Sequence, residues 1–163
     1  GMAYPAIVGR KLDRESINLG FSGNGRMDPV IMAEIAKIDA ACIILDCLPN
    51  MTLEMVEERA ENEIRRILDA QPHTPLLLVP NFLPENGRYD PAVRNAVMEE
   101  NAVLESIYKR LKKQYRNIHY LPYKKIRNVP REGTVDGIHL NDIGQLRMAE
   151  VLEKTVKRLI KKR

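Results

Sequence analysis

Two stretches of this chain, Ala41-Cys42-Ile43-Ile44-Leu45-Asp46 and Leu76-Leu77-Leu78-Val79, are almost continuously apolar over a few residues. Runs this short and this apolar read as strands buried on both faces, as in a parallel sheet covered by helices. Ile17-Asn18-Leu19-Gly20 and Asn117-Ile118-His119-Tyr120-Leu121 are read as two further strands of the same kind. Between them the apolar spacing becomes helical. Asp28-Pro29 gives an N-cap and a first-turn proline, followed by Ile31, Ile35 and Ile38. Thr52 caps a helix running to about Ala70, with Val56, Ala60, Ile64 and Ile67 on one face. Asp90-Pro91 opens a third helix, with Val93, Val97, Leu104, Ile107 and Leu111 inward. A last helix begins near Asn141 or Asp142, where Asp142 and Gln145 suit a capping box, and buries Leu152, Val156 and Leu159. A helix-like piece from Tyr4 to Leu12 precedes the first expected strand.

Strands alternating with helices through short links predict an α/β fold with a parallel sheet, in one domain over residues 1–163. Hydrophobic content of 44% and charged content of 29% suit a globular chain with a sizeable core. No apolar run approaches the ~20 residues of a membrane helix. The first residues lack the basic-then-apolar order of a secretory signal, and the compartment is left open.

The net charge of +4 is concentrated in Lys109-Arg110-Leu111-Lys112-Lys113, in Lys124-Lys125-Ile126-Arg127 and in residues 154–163. Without Trp, and with only two Phe and six Tyr, these runs are not interleaved with stacking aromatics. They read as solvated helix faces and not as a nucleic-acid surface. Cys42 and Cys47 fall in one expected strand on opposite faces, which excludes a bridge between them. With three His and no Cys-x-x-Cys, no metal site is expected.

Three places carry candidate chemistry. Gly20, Gly23 and Gly25 follow an expected strand, where glycines permit positive φ and outward backbone N–H groups. Such a loop serves as an oxyanion hole, a phosphate cradle or a plain turn. The spacing does not match either common phosphate-binding signature. Asn50 lies just after a buried strand, where ligands of open α/β sheets bind and where an amide can donate to an oxyanion. Asp136 and His139 are three residues apart on a Gly-containing turn before the last helix. That spacing lets a carboxylate orient an imidazole, which is the base half of a hydrolytic triad. His73, in a Pro-flanked loop, and His119, in a strand pattern, lack such company and are read as structural.

Taken together, Gly20-Phe21-Ser22-Gly23-Asn24-Gly25, Asn50 and Asp136-Gly137-Ile138-His139 resemble the SGNH hydrolase superfamily, the GDSL-type esterases and lipases. The resemblance spans nearly the whole chain and is most specific in its Asp-x-x-His block. It implies a three-layer α/β/α sandwich with a flavodoxin-like parallel sheet. It also implies that His139 is the general base, that Asp136 orients it, and that Gly23 N–H and the Asn50 amide form the oxyanion hole. The substrate class it implies is a small or carbohydrate ester, as in a bacterial branch with a Leu-Asp-Cys-Leu-Pro-Asn block, and no cofactor is needed.

One part of the family pattern is absent. The block that carries the nucleophilic Ser, at the end of the central first strand, has no counterpart in residues 1–163. The nucleophile and that strand are therefore expected upstream of Gly1, and the chain by itself is expected to have little or no esterase activity. A sheet lacking its first strand invites pairing with a second copy, so a homo-oligomer is an open expectation. Ser22 is the alternative nucleophile: Gly20-Phe21-Ser22-Gly23 approaches a nucleophile elbow, and the order Ser22, Asp46, His139 fits an α/β-hydrolase. A different class of function is also open, a non-catalytic module that holds an anion or other ligand in the glycine loop.

Overall fold

The computed structural model describes residues 1–161, so Lys162 and Arg163 of the basic tail lie outside the described residues. The chain has an α/β fold with a parallel three-stranded sheet. It divides into two compact units, each built from separate stretches: Gly20–Asn81 with Met98–Leu121, and Gly1–Leu19 with Phe82–Val97 and Pro122–Arg163.

The sheet lies in the first of these. Strands β1 (Ile43–Leu45), β2 (Leu76–Leu78) and β3 (Ile118–Tyr120) run in the order β1-β2-β3, with Ile43 opposite Leu76 and Leu76 opposite Ile118. Every residue of β2 is fully buried, as the unbroken leucine run requires. Helix α2 (Pro29–Ile35) starts where Asp28 accepts a hydrogen bond from Val30 N–H. Helix α3 (Leu53–Ala70) starts at Thr52, whose hydroxyl accepts from Met55 N–H. Its stripe of Val56, Ala60, Ile64 and Ile67 joins Leu104, Ile107, Leu111 and Ile118 in one core. Amides tie the entry to the sheet: Gln71 donates to the Ala36 and Ile38 carbonyls, and Asn117 donates to those of Gln71 and Thr74.

The second unit is built on α1 (Tyr4–Leu12) against α5 (Asp142–Ile160). Ile7 and Val8 are buried on α1, and Met148, Ala149, Leu152, Val156 and Leu159 on α5. Gln145 accepts the Tyr4 N–H at 2.8 Å. Helix α4 (Pro91–Leu111) begins in this unit and ends in the other.

Four expectations are corrected. Ile17-Asn18-Leu19-Gly20 is no strand: it pairs with no strand among the described residues, and Ile17 is 60% exposed. The cap of α5 is Asn141, not Asp142, because Asn141 Oδ1 takes the Ile143 and Gly144 N–H groups while Gln145 is turned toward Tyr4. Helix α2 ends before Ile38 and buries Met32, at 2% exposure, while Ile35 packs half-buried against the same core. Cys42 and Cys47 flank β1 instead of lying within it, and both are free thiols.

Candidate active site

In the α1–α5 unit, residues 132–141 form a small hairpin leading into α5. One antiparallel bridge joins Thr134 and Leu140. Val135 N–H donates to the His139 carbonyl at 2.9 Å, and Asn141 N–H to that of Gly133 at 2.8 Å. Asn141 works at both ends of its side chain. Its oxygen caps α5, and its NH₂ donates to the Glu132 and Thr134 carbonyls at 3.1 and 3.2 Å. The hairpin is thereby tied to a helix start, a rigid support for a short loop.

At the tip, Gly137 has φ +88°, a left-handed backbone that favours glycine. The turn folds the Asp136 carboxylate back over the chain. Its Oδ1 accepts the Ile138 and His139 N–H groups at 2.9 and 2.7 Å, and its Oδ2 lies 2.6 Å from His139 Nδ1. These donors, the His139 imidazole first, hold the Asp136 carboxyl down at about 2. An ionised carboxylate on Nδ1 fixes the tautomer with the proton on Nδ1 and the lone pair on Nε2. The His139 side chain is 77% exposed, so its far edge is open to a reacting group. The expected Asp136–His139 contact is therefore present.

The other expected residues lie in the sheet unit. Phe21–Gly23 is a 3₁₀ turn in which Phe21, Ser22 and Gly23 all have positive φ (50°, 49° and 92°). Two consecutive non-glycine residues in this region are costly, about 1–2 kcal/mol each. Strain of this kind concentrates at functional sites. Side chains brace the turn: Asn24 donates to the Phe21 carbonyl at 3.3 Å and Arg26 Nε to that of Gly23 at 3.1 Å. Gly23 is exposed, and a Cβ there would meet nothing within 4 Å. Asn50 closes a second 3₁₀ turn, Leu48–Asn50, just after β1. Fully buried Leu48 anchors this turn, and the half-exposed Asn50 amide makes no side-chain hydrogen bond among the described residues. Ser106 lies on α4, where its hydroxyl accepts from Arg110. His73 is exposed in its loop and His119 lies in β3.

Sequence reasoning missed the supports of the Asp136–His139 hairpin. Glu85 accepts the Glu132 N–H at 2.5 Å and the Thr134 hydroxyl, and Asn86 N–H donates to the Gly137 carbonyl at 3.3 Å. The Asn-Gly pair at 86 and 87 signals a turn, but nothing local says what that turn packs against.

A profile of the GDSL-like lipase/acylhydrolase family matches residues 1–157. Among solved structures, the chain is similar to a GDSL-like lipase from Bacteroides ovatus, with 32% identity and a TM-score of 0.90 over 99% of this chain and 48% of that one. It also shares its fold with a salicylyl-acyltransferase from a tetracycline biosynthetic pathway, at 18% identity and a TM-score of 0.81, over 96% of this chain and 48% of that one. The chain thus spans about half the length of these solved proteins. No curated protein matches it significantly. With a family profile covering all but its last few residues, the chain belongs to the GDSL-like lipase/acylhydrolase family.

Proposed function

We propose that the chain supplies the general base, its orienting carboxylate and the oxyanion donors of an esterase acting on a small or carbohydrate ester. The observation that carries this reading is the Asp136–His139 pair, with Nδ1 engaged at 2.6 Å and the opposite edge of the ring exposed. In the reaction, His139 Nε2 takes a proton from a serine hydroxyl as its oxygen attacks the ester carbonyl. The protonated ring, held by Asp136, then gives that proton to the departing alcohol. Gly23 N–H and the Asn50 amide donate to the tetrahedral oxyanion. Water, deprotonated by the same ring, releases the acyl group as a carboxylic acid.

The nucleophile in this reading is a serine outside residues 1–163. Ser106 is engaged on a helix face, and Ser16 lies in an exposed loop. Ser22 has the left-handed backbone of a residue on a sharp turn, which favours it as a second assignment. Hydrolysis of a chromogenic acetyl ester decides between them. Residues 1–163 are expected to turn the ester over slowly or not at all, and a fluorophosphonate probe is expected to leave Ser22 unlabelled. Rapid turnover by residues 1–163 that Ser22→Ala abolishes would move the nucleophile to Ser22. In a longer form that does hydrolyse the ester, activity that survives His139→Ala would end the proposal.

A further inference from the structure

We propose that Glu85 is a positioning residue for the Asp136–His139 pair, gripping the base of its hairpin through Glu132 and Thr134 while its neighbour Asn86 holds the tip through Gly137. Its catalytic meaning rests on the reading of His139 as the base; the positioning itself does not.

The hairpin has little structure of its own. A single bridge, Thr134 with Leu140, is far short of a stable ladder. Glu132, at its entrance, has φ +51°, a strained conformation for a residue with a Cβ. Such a conformation persists only where its surroundings over-determine it. Here they do so from two sides. Glu85 takes the Glu132 N–H, and the Asn141 side chain donates to the Glu132 carbonyl. The second Glu85 oxygen takes the hydroxyl of Thr134, the bridge residue itself. Three residues on, Asn86 N–H meets the carbonyl of Gly137, whose left-handed φ turns Asp136 toward His139. The grips thus fall at the entrance, the bridge and the apex of the turn that creates the pair. The hydrogen bonds from the Thr134 hydroxyl and the Glu132 N–H, and after them the nearby Arg88 and Arg147, favour the ionised form of Glu85, in which both of its oxygens accept.

NMR on the 163-residue chain tests this without any ester. The readouts are the titration of the Asp136 carboxyl carbon and hydrogen exchange of the Ile138 and His139 amides, with the Leu152 and Val156 amides of α5 as the internal control. Glu85→Ala is expected to move the Asp136 midpoint up from about 2 toward the ordinary ~3.9. It should also speed exchange at Ile138 and His139 by at least about tenfold, with α5 unchanged. Glu85→Gln keeps an acceptor for Glu132 N–H and offers a donor to the Thr134 oxygen, so it is expected to behave as the parent. Thr134→Val, which removes one grip, should shift both readouts in the direction of Glu85→Ala, and it decides the matter if Glu85→Ala does not fold. Parent-like values in folded Glu85→Ala, or in Thr134→Val, would overturn the proposal. So would a Glu85→Gln as impaired as Glu85→Ala. If His139 is not the base, the ester assay fails while these readouts still respond.

Discussion

Asp136 grips His139 through both of its oxygens: Oδ2 meets the imidazole Nδ1 at 2.6 Å, and Oδ1 accepts the His139 backbone N–H at 2.7 Å. One carboxylate therefore sets the position of the backbone and the direction of the ring together. All of these contacts favour the ionised form, so the folded carboxyl titrates at about 2. A carboxyl depressed on folding adds stability above its unfolded value of ~3.9 and loses it as the pH falls through the folded value. Asp136→Asn should accordingly lower the melting temperature most above pH ~4, with the gap closing toward pH ~2. Calorimetry across this range checks it, and a gap that stays constant with pH would contradict the assignment.

Asn50 separates chemistry from folding. Its amide makes no side-chain hydrogen bond among the described residues, and the turn that carries it is anchored by Leu48. In a longer form that hydrolyses the ester, removing this oxyanion donor by Asn50→Ala should lower kcat by about 10²–10³ with little change in KM. The melting temperature of the variant should stay within about 1–2 °C of the parent, as for a substitution worth under ~0.5 kcal/mol. A fall in stability with unchanged kcat would assign Asn50 a purely structural role.

Asn101 has the opposite character. Its side chain accepts the Asn81 N–H at 2.7 Å and donates to the Asn81 carbonyl at 2.8 Å, with both residues buried. This reciprocal pair fastens the chain beyond β2 to α4. Asn101→Ala strands a donor and an acceptor in the interior, a loss of about 2–6 kcal/mol at the usual penalty per buried group. Urea unfolding measures this, and a change below about 0.5 kcal/mol would show that the backbone finds other partners.

Cys42 and Cys47 should be slow thiols. Burial raises both to about 12, and the neighbouring Asp46 carboxylate adds to the effect at Cys47. At pH 8 the thiolate is then about one part in ten thousand. Reaction with Ellman's reagent should run on the order of 10²–10³ slower than for a free thiol, and become fast in denaturant. A rapid native reaction at either position would show that the β1 segment opens readily.

Much of this organisation was legible because it is local. Tyr4–Leu12 forms a helix with the bounds its pattern suggests. The caps at Asp28, Thr52 and Asp90 are side chains bonding to their own backbone two or three residues on. The Asp136–His139 pair was readable for the same reason, since its geometry is closed within four consecutive residues. What stayed hidden depends on neighbours distant in sequence. A strand is defined by its partner, so Ile17-Asn18-Leu19-Gly20 looks like one in composition and pairs with none among the described residues. Glu85 is 47 residues from the backbone N–H that it accepts, and no periodicity announces such a contact. The choice of Asn141 over Asp142 as the cap turns on where the hairpin leaves the chain, which two adjacent capping residues cannot decide between them.

Gly133 and Gly144 meet backbone to backbone, where the hairpin touches the first turn of α5. A Cβ on Gly144 would lie 2.2 Å from the Gly133 carbonyl oxygen, and one on Gly133 would lie 2.9 Å from the Gly144 Cα. No rotamer change can relieve a collision with a peptide group. A mutational scan of this protein, whatever trait it selects, should therefore find these two positions intolerant even of alanine. The bulk of neighbouring Ile143 and Leu146, both exposed, should drift freely.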